Sequence, residues 1–226
     1  MKRSTTELIE SLVADGAAVR VLRSPFRRAA GWLLFAALLV ACVALAHGAR
    51  PDLASKLHDP GFVTSVGAAV ATGVLAALAA FVASVPGRSM RWLWLPVPAL
   101  LVWISAIGYG CLTNWVAIGP DGVSLGETAR CFATLVLVGV PLGLALIVML
   151  RHVATLAPLP AALAGALAVS AMTAAALSVF HPLDATVMIL AWHFGLTVIL
   201  LAGGARFARR LFEWAAPPAS VPGGDA

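Results

Sequence analysis

Charge is what this sequence has least of. Only 11% of its 226 residues are Asp, Glu, Lys or Arg, while 61% are hydrophobic and the mean hydropathy is +0.97. A soluble domain carries about a quarter charged residues, so a water-exposed globular surface could not be covered here. A cytosolic globular enzyme is excluded on that ground, and so is intrinsic disorder. Catalytic signatures are missing too: the chain has no GxxxxGK[ST] phosphate loop, no HExxH and no GxSxG. It shows no set of buried carboxylates for proton coupling and no inverted repeat of the transporter type. The three cysteines, Cys42, Cys111 and Cys131, form no CxxC pair. The chain is read as non-enzymatic, with no cofactor required.

What is present is long apolar runs. Six stretches, 29–47, 62–85, 92–110, 131–150, 161–180 and 186–204, lack Asp, Glu, Lys and Arg altogether. About 20 apolar residues cross a bilayer as a helix, and a helix satisfies its own backbone inside lipid. The expected fold is therefore an all-α membrane protein of six transmembrane helices. Twelve basic residues then fall on the side of the termini, among them Arg27, Arg28, Arg88 and Arg91, and only Arg50, Lys56 and Arg130 on the other. Cytoplasmic loops carry the excess of Lys and Arg, which predicts N-in, C-in. The domain plan is a cytoplasmic segment at 1–28, a six-helix domain at 29–205 and a cytoplasmic tail at 206–226, disordered at its end. The net charge of +5 follows from this flanking pattern. The partners are then the lipid bilayer and a protein, with no direct nucleic-acid binding, because no basic helix with interleaved aromatics is present.

The N-terminal segment is the only sizeable cytoplasmic handle. Ser4-Thr5-Thr6-Glu7 has capping-box spacing, and Leu8, Ile9, Leu12 and Val13 follow at helical intervals. This predicts a short amphipathic helix of about three turns, a linker, and a break at Ser24-Pro25 before the Arg27-Arg28 anchor. Such a helix is marginal alone in water, so its aliphatic face needs a cover. It either lies on the bilayer or bundle, or docks on a soluble partner in the helix-in-groove manner. Its polar side holds Glu7 and Glu10, whereas membrane-surface helices carry Lys and Arg there, which tilts the choice towards a protein partner.

The outward side collects the soft ligands: Cys111, Cys131, His47, His58 and His181, with Asp52, Asp59, Asp121, Glu127 and Asp184. Cys131 and His181 are the candidate metal or signal-sensing pair, suited to a transition metal acting as the signal. A Cys111–Cys131 disulfide is a second option, and scattered loop residues with no joint role a third. Cys42 is expected to be a small packing residue. His193, near the middle of the sixth run, is a structural hydrogen-bonding group or a relay. Small residues spaced by four, at Ala69, Gly73 and Ala77, at Ala161 and Gly165, and at Gly139 and Gly143, predict close helix contacts. Pro96 and Pro98 predict a distortion at the start of the third run. Trp32, Trp92 and Trp115 are expected as interfacial anchors.

Three stretches together resemble a known family. LIESLVADGAAVRVLRSPFRRAAGWL is similar to the start of the NrsF-type membrane anti-sigma factors. CFATLVLVGVPLGLALIVMLRHVATLAPLPAALAGALAVSA resembles their fourth and fifth spans, and HPLDATVMILAWH their last loop and sixth span. The resemblance covers about residues 4–210. It implies a bacterial inner-membrane protein whose N-terminal segment sequesters an extracytoplasmic-function (ECF) sigma factor and releases it on heavy-metal or oxidative stress outside. The family's outward cysteine matches Cys131, and its span-six Trp-His matches Trp192-His193. Its second cysteine, followed by Pro, is here His181-Pro182, so a disulfide switch from Cys131 to that loop is impossible. The resemblance implies partner binding by the N-terminal segment, and its helical pattern makes Leu8, Ile9, Leu12 and Val13 the expected inserting residues, with Glu7 and Glu10 at the rim. The resemblance also implies signal sensing at Cys131 and a role for His193, while His181 could share a metal with Cys131 because imidazole can replace thiolate. The other option is that sensing has drifted or that the signal enters elsewhere. The alternative on residues alone is a small-solute or metal transporter, with His193 as nearly the only path-lining group. Oligomeric state is left open.

Overall fold

The computed structural model describes residues 4–14, 24–85, 87–113, 125–150 and 158–180, and residues 195, 199, 202 and 203. Every regular element among the described residues is helical. These are α1 (Thr5–Ala14), α2 (Pro25–His47), α3 (Leu53–Lys56), α4 (Pro60–Ala83), a 3-10 turn (Met90–Trp94), α5 (Val97–Thr113), α6 (Leu125–Leu150) and α7 (Pro158–Phe180). Five stretches are long and apolar enough to cross a membrane: Pro25–Ala46, Pro60–Ala83, Met90–Tyr109, Phe132–Leu150 and Pro158–Phe180. They match the first five expected runs. Of the sixth, only Gly195, Ile199, Ala202 and Gly203 are described, each helical.

Local chemistry sets the helix ends. Ser24, expected as a break, instead starts α2: its Oγ accepts from Arg27 N at 3.4 Å, and Pro25 occupies the first turn. Proline is tolerated there because that N–H would have no intrahelical partner. The helix thus begins four residues ahead of the apolar run and takes Arg27 and Arg28 into its first turn. Gly48 ends it with φ +77, a left-handed conformation that favours glycine. Asp59 caps α4 by accepting from Gly61 N at 3.0 Å, again with proline at the first position. The expected distortion at Pro96 and Pro98 is present, since the third span enters as a 3-10 turn before α5 begins at Val97.

The bundle is built around α4 and α7, which share the most extensive interface. Helix α5 lies against α4, α2 packs on α4 and α6, and α6 lies along α7. The buried residues of these two helices are mostly small, among them Ala69, Gly73, Ala76 and Ala80 on α4 and Ala164, Ala168, Ala171 and Ala175 on α7. A Cβ at Gly73 would stand 2.8 Å from Met172 Cγ and Sδ, so this glycine sets the approach of the two helices. Large aliphatics face the other way: Leu34, Leu38 and Leu45 on α2, and Val136, Val140, Leu144 and Val148 on α6, are exposed. In water such a surface would aggregate; against lipid tails it is the matching solvent. Small residues inside and large ones outside are what close packing between membrane helices requires.

Two expectations fail here. Trp32 is not an interfacial anchor but is fully buried, 0% exposed, and its Nε1 donates to the Leu142 carbonyl at 3.0 Å. The bond ties α2 to α6 one residue past Pro141. Cys42 lies exposed rather than packed. The inward ridge of α2 runs through Ala29, Trp32, Ala36 and Val43, and Cys42 is a helical step off that line.

Candidate functional site

The described structure offers three places where chemistry could act: α1, the bundle end where α2 begins, and the opposite end, here the distal end.

In α1 the expected capping box forms in both directions. Glu7 N donates to Ser4 Oγ at 3.2 Å, and Ser4 N donates to a Glu7 carboxylate oxygen at 3.0 Å. Two otherwise unpaired amides are satisfied, which offsets part of the cost of so short a helix. The Glu7 carboxylate also lies near the positive end of the helix, where it is favourable. Ile9 and Val13, four residues apart, are 56% and 75% exposed. Glu10 is exposed as well. Leu8 and Leu12 belong to the same helix, but their side chains lie outside the described residues. Among the described residues α1 shares no extensive interface with another helix. It is a capped helix with uncovered aliphatic residues, tethered to α2 through residues 15–23.

At the distal end, the link between α2 and α4 folds back onto α7. Arg50 N donates to the Val179 carbonyl at 3.0 Å. The Arg50 side chain is buried; its Nε and Nη2 each donate to an Asp52 carboxylate oxygen at 2.7 Å, and its guanidinium lies 5.6 Å from the Phe62 ring centroid. The hydrogen bond from Arg50 holds the Asp52 carboxyl below the usual carboxylate range. A depressed native pKa contributes stability above the unfolded pKa, and that stability is lost as pH falls through the native value. Unfolding of the purified bundle should therefore become easier below about pH 4, and Asp52→Asn should flatten this acid limb. Measuring the thermal midpoint between pH 7 and pH 3 decides it; an unchanged acid limb in the variant means that Asp52 is not the titrating group.

The other described polar groups at this end already have local partners. Asp59 caps α4. His58 Nδ1 lies 2.8 Å from the Ala54 carbonyl; since a carbonyl only accepts, that nitrogen carries the proton. Among the described residues no group of three His, Cys, Asp or Glu side chains is gathered as a metal site. Cys131 is helical, six residues into α6, and its side chain lies outside the described residues, as does that of Cys111. His181 follows α7 directly, two residues beyond the Val179 carbonyl that receives Arg50 N; His181 and His193 lie outside the described residues. The structure thus does not bring Cys131 and His181 together or apart. Sequence reasoning missed Arg50, counted there only as a loop charge. Its signal was Asp52 two residues on, a spacing that suits a bidentate pair.

Within the bundle, the buried polar side chains described are Thr72, Ser84, Ser170 and Thr173, with Arg50 at the distal end. Three of these hydroxyls donate back to carbonyls of their own helices: Thr72 to Ala68, Ser84 to Phe81 and Thr173 to Val169. The described interior holds no ionisable side chain at mid-depth.

A family model described as NrsF, negative regulator of sigma F, matches residues 12–214. The match spans the linker, all five described spans and the sixth apolar run, and it begins inside α1. No curated protein and no solved structure matches the chain.

Proposed function

From the premise that this chain belongs to the NrsF family of negative regulators of sigma F, we propose that it is a membrane-held anti-sigma factor that sequesters an ECF sigma factor through α1. In this reading the six-helix bundle sits in a bacterial inner membrane with both termini inside. The observation that carries it is the state of α1, a capped helix whose Ile9 and Val13 stand open while every other long helix is packed. Uncovered aliphatics at i and i+4 are the pattern that inserts into an apolar groove on a partner. Glu10, and the part of Glu7 not used in capping, would meet basic residues at the groove rim, favouring fast and selective association more than raw affinity.

The signal in this reading is a heavy metal or an oxidant outside the cell, received near Cys131 and His181, with His193 in the relay. The path inward would use α6. Cys131 lies on its outer part, and the Leu142 carbonyl beyond Pro141 holds Trp32 of α2. Helix α2 in turn starts where the α1 tether ends. A shift of α6 would thus reach the segment that presents α1. To drive release from 1:99 to 99:1, the signal must favour one bundle state by about 5.5 kcal/mol.

The test is co-purification of the full chain, held in lipid nanodiscs, with the sigma factor encoded beside it. The full chain should retain the sigma factor, and a chain lacking residues 1–14 should not. Equal retention by both would move the binding surface to the bundle or its loops. No retention by either, with the sigma factor folded and active, would overturn sequestration by direct binding.

A further inference from the structure

We propose that the bundle end where α2 begins binds the phosphate of an anionic phospholipid through Arg27, Arg28, Arg88 and Arg91. The proposal rests on reading the helices as membrane-spanning and is independent of the sigma factor.

Three segments bring these arginines to one end. The first turn of α2 supplies Arg27 and Arg28, the turn after α4 supplies Arg88, and the 3-10 turn supplies Arg91. Two aromatic contacts hold the segments together. Phe26 meets Trp92 edge to face, with ring centroids 6.2 Å apart, and the Arg28 guanidinium lies 5.2 Å from the Phe81 centroid. The first contact joins the start of α2 to the 3-10 turn, and the second joins it to the end of α4.

None of the four arginines has an ion-pair partner among the described residues, whereas Arg50 at the distal end is matched by Asp52. The first turn of α2 contains no acid either. Gathered like charges repel one another, and the positive helix end beside Arg27 and Arg28 adds to the imbalance. An anion from outside the chain would relieve both.

The surroundings identify that anion as a lipid. Arg27, Arg88 and Arg91 are exposed, and beside them Phe26, Met90 and Trp94 are exposed large apolar side chains. Rings at headgroup level with basic residues alongside are the arrangement of a membrane–water boundary. Basic groups at that level are attracted to anionic headgroups. The rival occupant within the chain is the acidic side of α1, which is poorly matched to four cations: Glu7 already caps Ser4, leaving Glu10 as the free described carboxylate.

The test uses the full chain in mild detergent, titrated with phosphatidylglycerol or phosphatidylcholine and read by native mass spectrometry. Wild type should retain phosphatidylglycerol in preference to phosphatidylcholine. Arg88→Gln with Arg91→Gln should weaken that retention roughly tenfold or more, since each basic side chain near an anionic surface contributes about fivefold. The paired lysine variants should restore most of it. Lys56→Gln at the distal end should change nothing, and glycerol phosphate without acyl chains should not displace the lipid. Equal retention of the two lipids would overturn the proposal, as would equal weakening by Lys56→Gln. Displacement by glycerol phosphate would assign the site to free phosphate instead. A several-fold gain in phosphatidylglycerol binding on removing residues 1–14 would assign it to α1.

Discussion

The double variant Ile9→Asp, Val13→Asp should lose the sigma factor while leaving the bundle intact. Both side chains are exposed in the free chain, at 56% and 75%, so replacing them removes little packing from the folded protein. If they enter a groove, each loses the burial of an aliphatic side chain, about 1.5–3 kcal/mol. The carboxylates would also have to be desolvated against an apolar wall. A combined loss of at least about 3–4 kcal/mol follows, which weakens binding by a factor of several hundred. Aspartate lowers helix propensity and at position 13 opposes the helix dipole, so loss of binding could reflect loss of α1 itself. Ile9→Ala with Val13→Ala separates the two causes. Alanine favours the helix more than either native residue yet deletes the contact, so this pair should also bind more weakly, by roughly tenfold or more. If the aspartate pair binds like wild type while the bundle melts normally, α1 is not the docking element.

That experiment tests a feature legible in the sequence. Ser4 and Glu7 have capping-box spacing, and the structure forms both reciprocal bonds, because the motif needs nothing beyond four consecutive residues. Pro96 and Pro98 were equally readable, since a proline removes an N–H wherever the fold places it. The first five spans followed from run length alone. What could not be read was decided between distant segments. Trp32 lies four residues past Arg28, where a tryptophan ordinarily marks the interface. It is instead buried because a carbonyl 110 residues away accepts its N–H, and no local pattern carries that information. Cys42 was misplaced for a related reason: the face of an almost uniformly apolar helix cannot be chosen from the sequence. The choice is made by whichever ridge meets the neighbours, here that of Trp32 and Ala36. The sensing residues Cys131, His181 and His193 are legible as residue types only. Their joint role depends on side-chain positions outside the described residues.

The second large effect is expected in the bundle, at Gly73. Helices in lipid gain no hydrophobic free energy by meeting one another, so close packing must hold them together. The contact between α4 and α7 depends on small residues, and a Cβ on Gly73 would press on Met172 Cγ and Sδ at 2.8 Å, with the Met172 backbone N at 3.4 Å. The thioether can swing aside for a methyl group, but a leucine extends beyond its Cβ, and the Met172 backbone, already at van der Waals distance, leaves no room for the rest. Gly73→Leu should therefore wedge the two helices apart and cost about 3 kcal/mol or more, the upper range for overpacking. Among the described residues a Cβ on Gly143 would meet nothing within 4 Å, although Gly139 and Gly143 looked in the sequence like another packing row. Gly143→Ala should be neutral or stabilising by up to about 1 kcal/mol, the helix-propensity gain over glycine. Denaturant titration of the purified chain in detergent measures both. A Gly73→Leu variant as stable as wild type would show that this interface yields, and that the small-residue row is not what fixes the spacing of α4 and α7. Paired with the α1 variants, the measurement separates two ways of losing repression. Ile9→Asp with Val13→Asp removes the hand and keeps the scaffold. Gly73→Leu loosens the scaffold while leaving α1 its cap, its exposed residues and, at first, its grip on the partner. A loosened bundle that still binds the sigma factor but no longer responds to any outside signal would place recognition in α1 and control in the packing of α4 against α7.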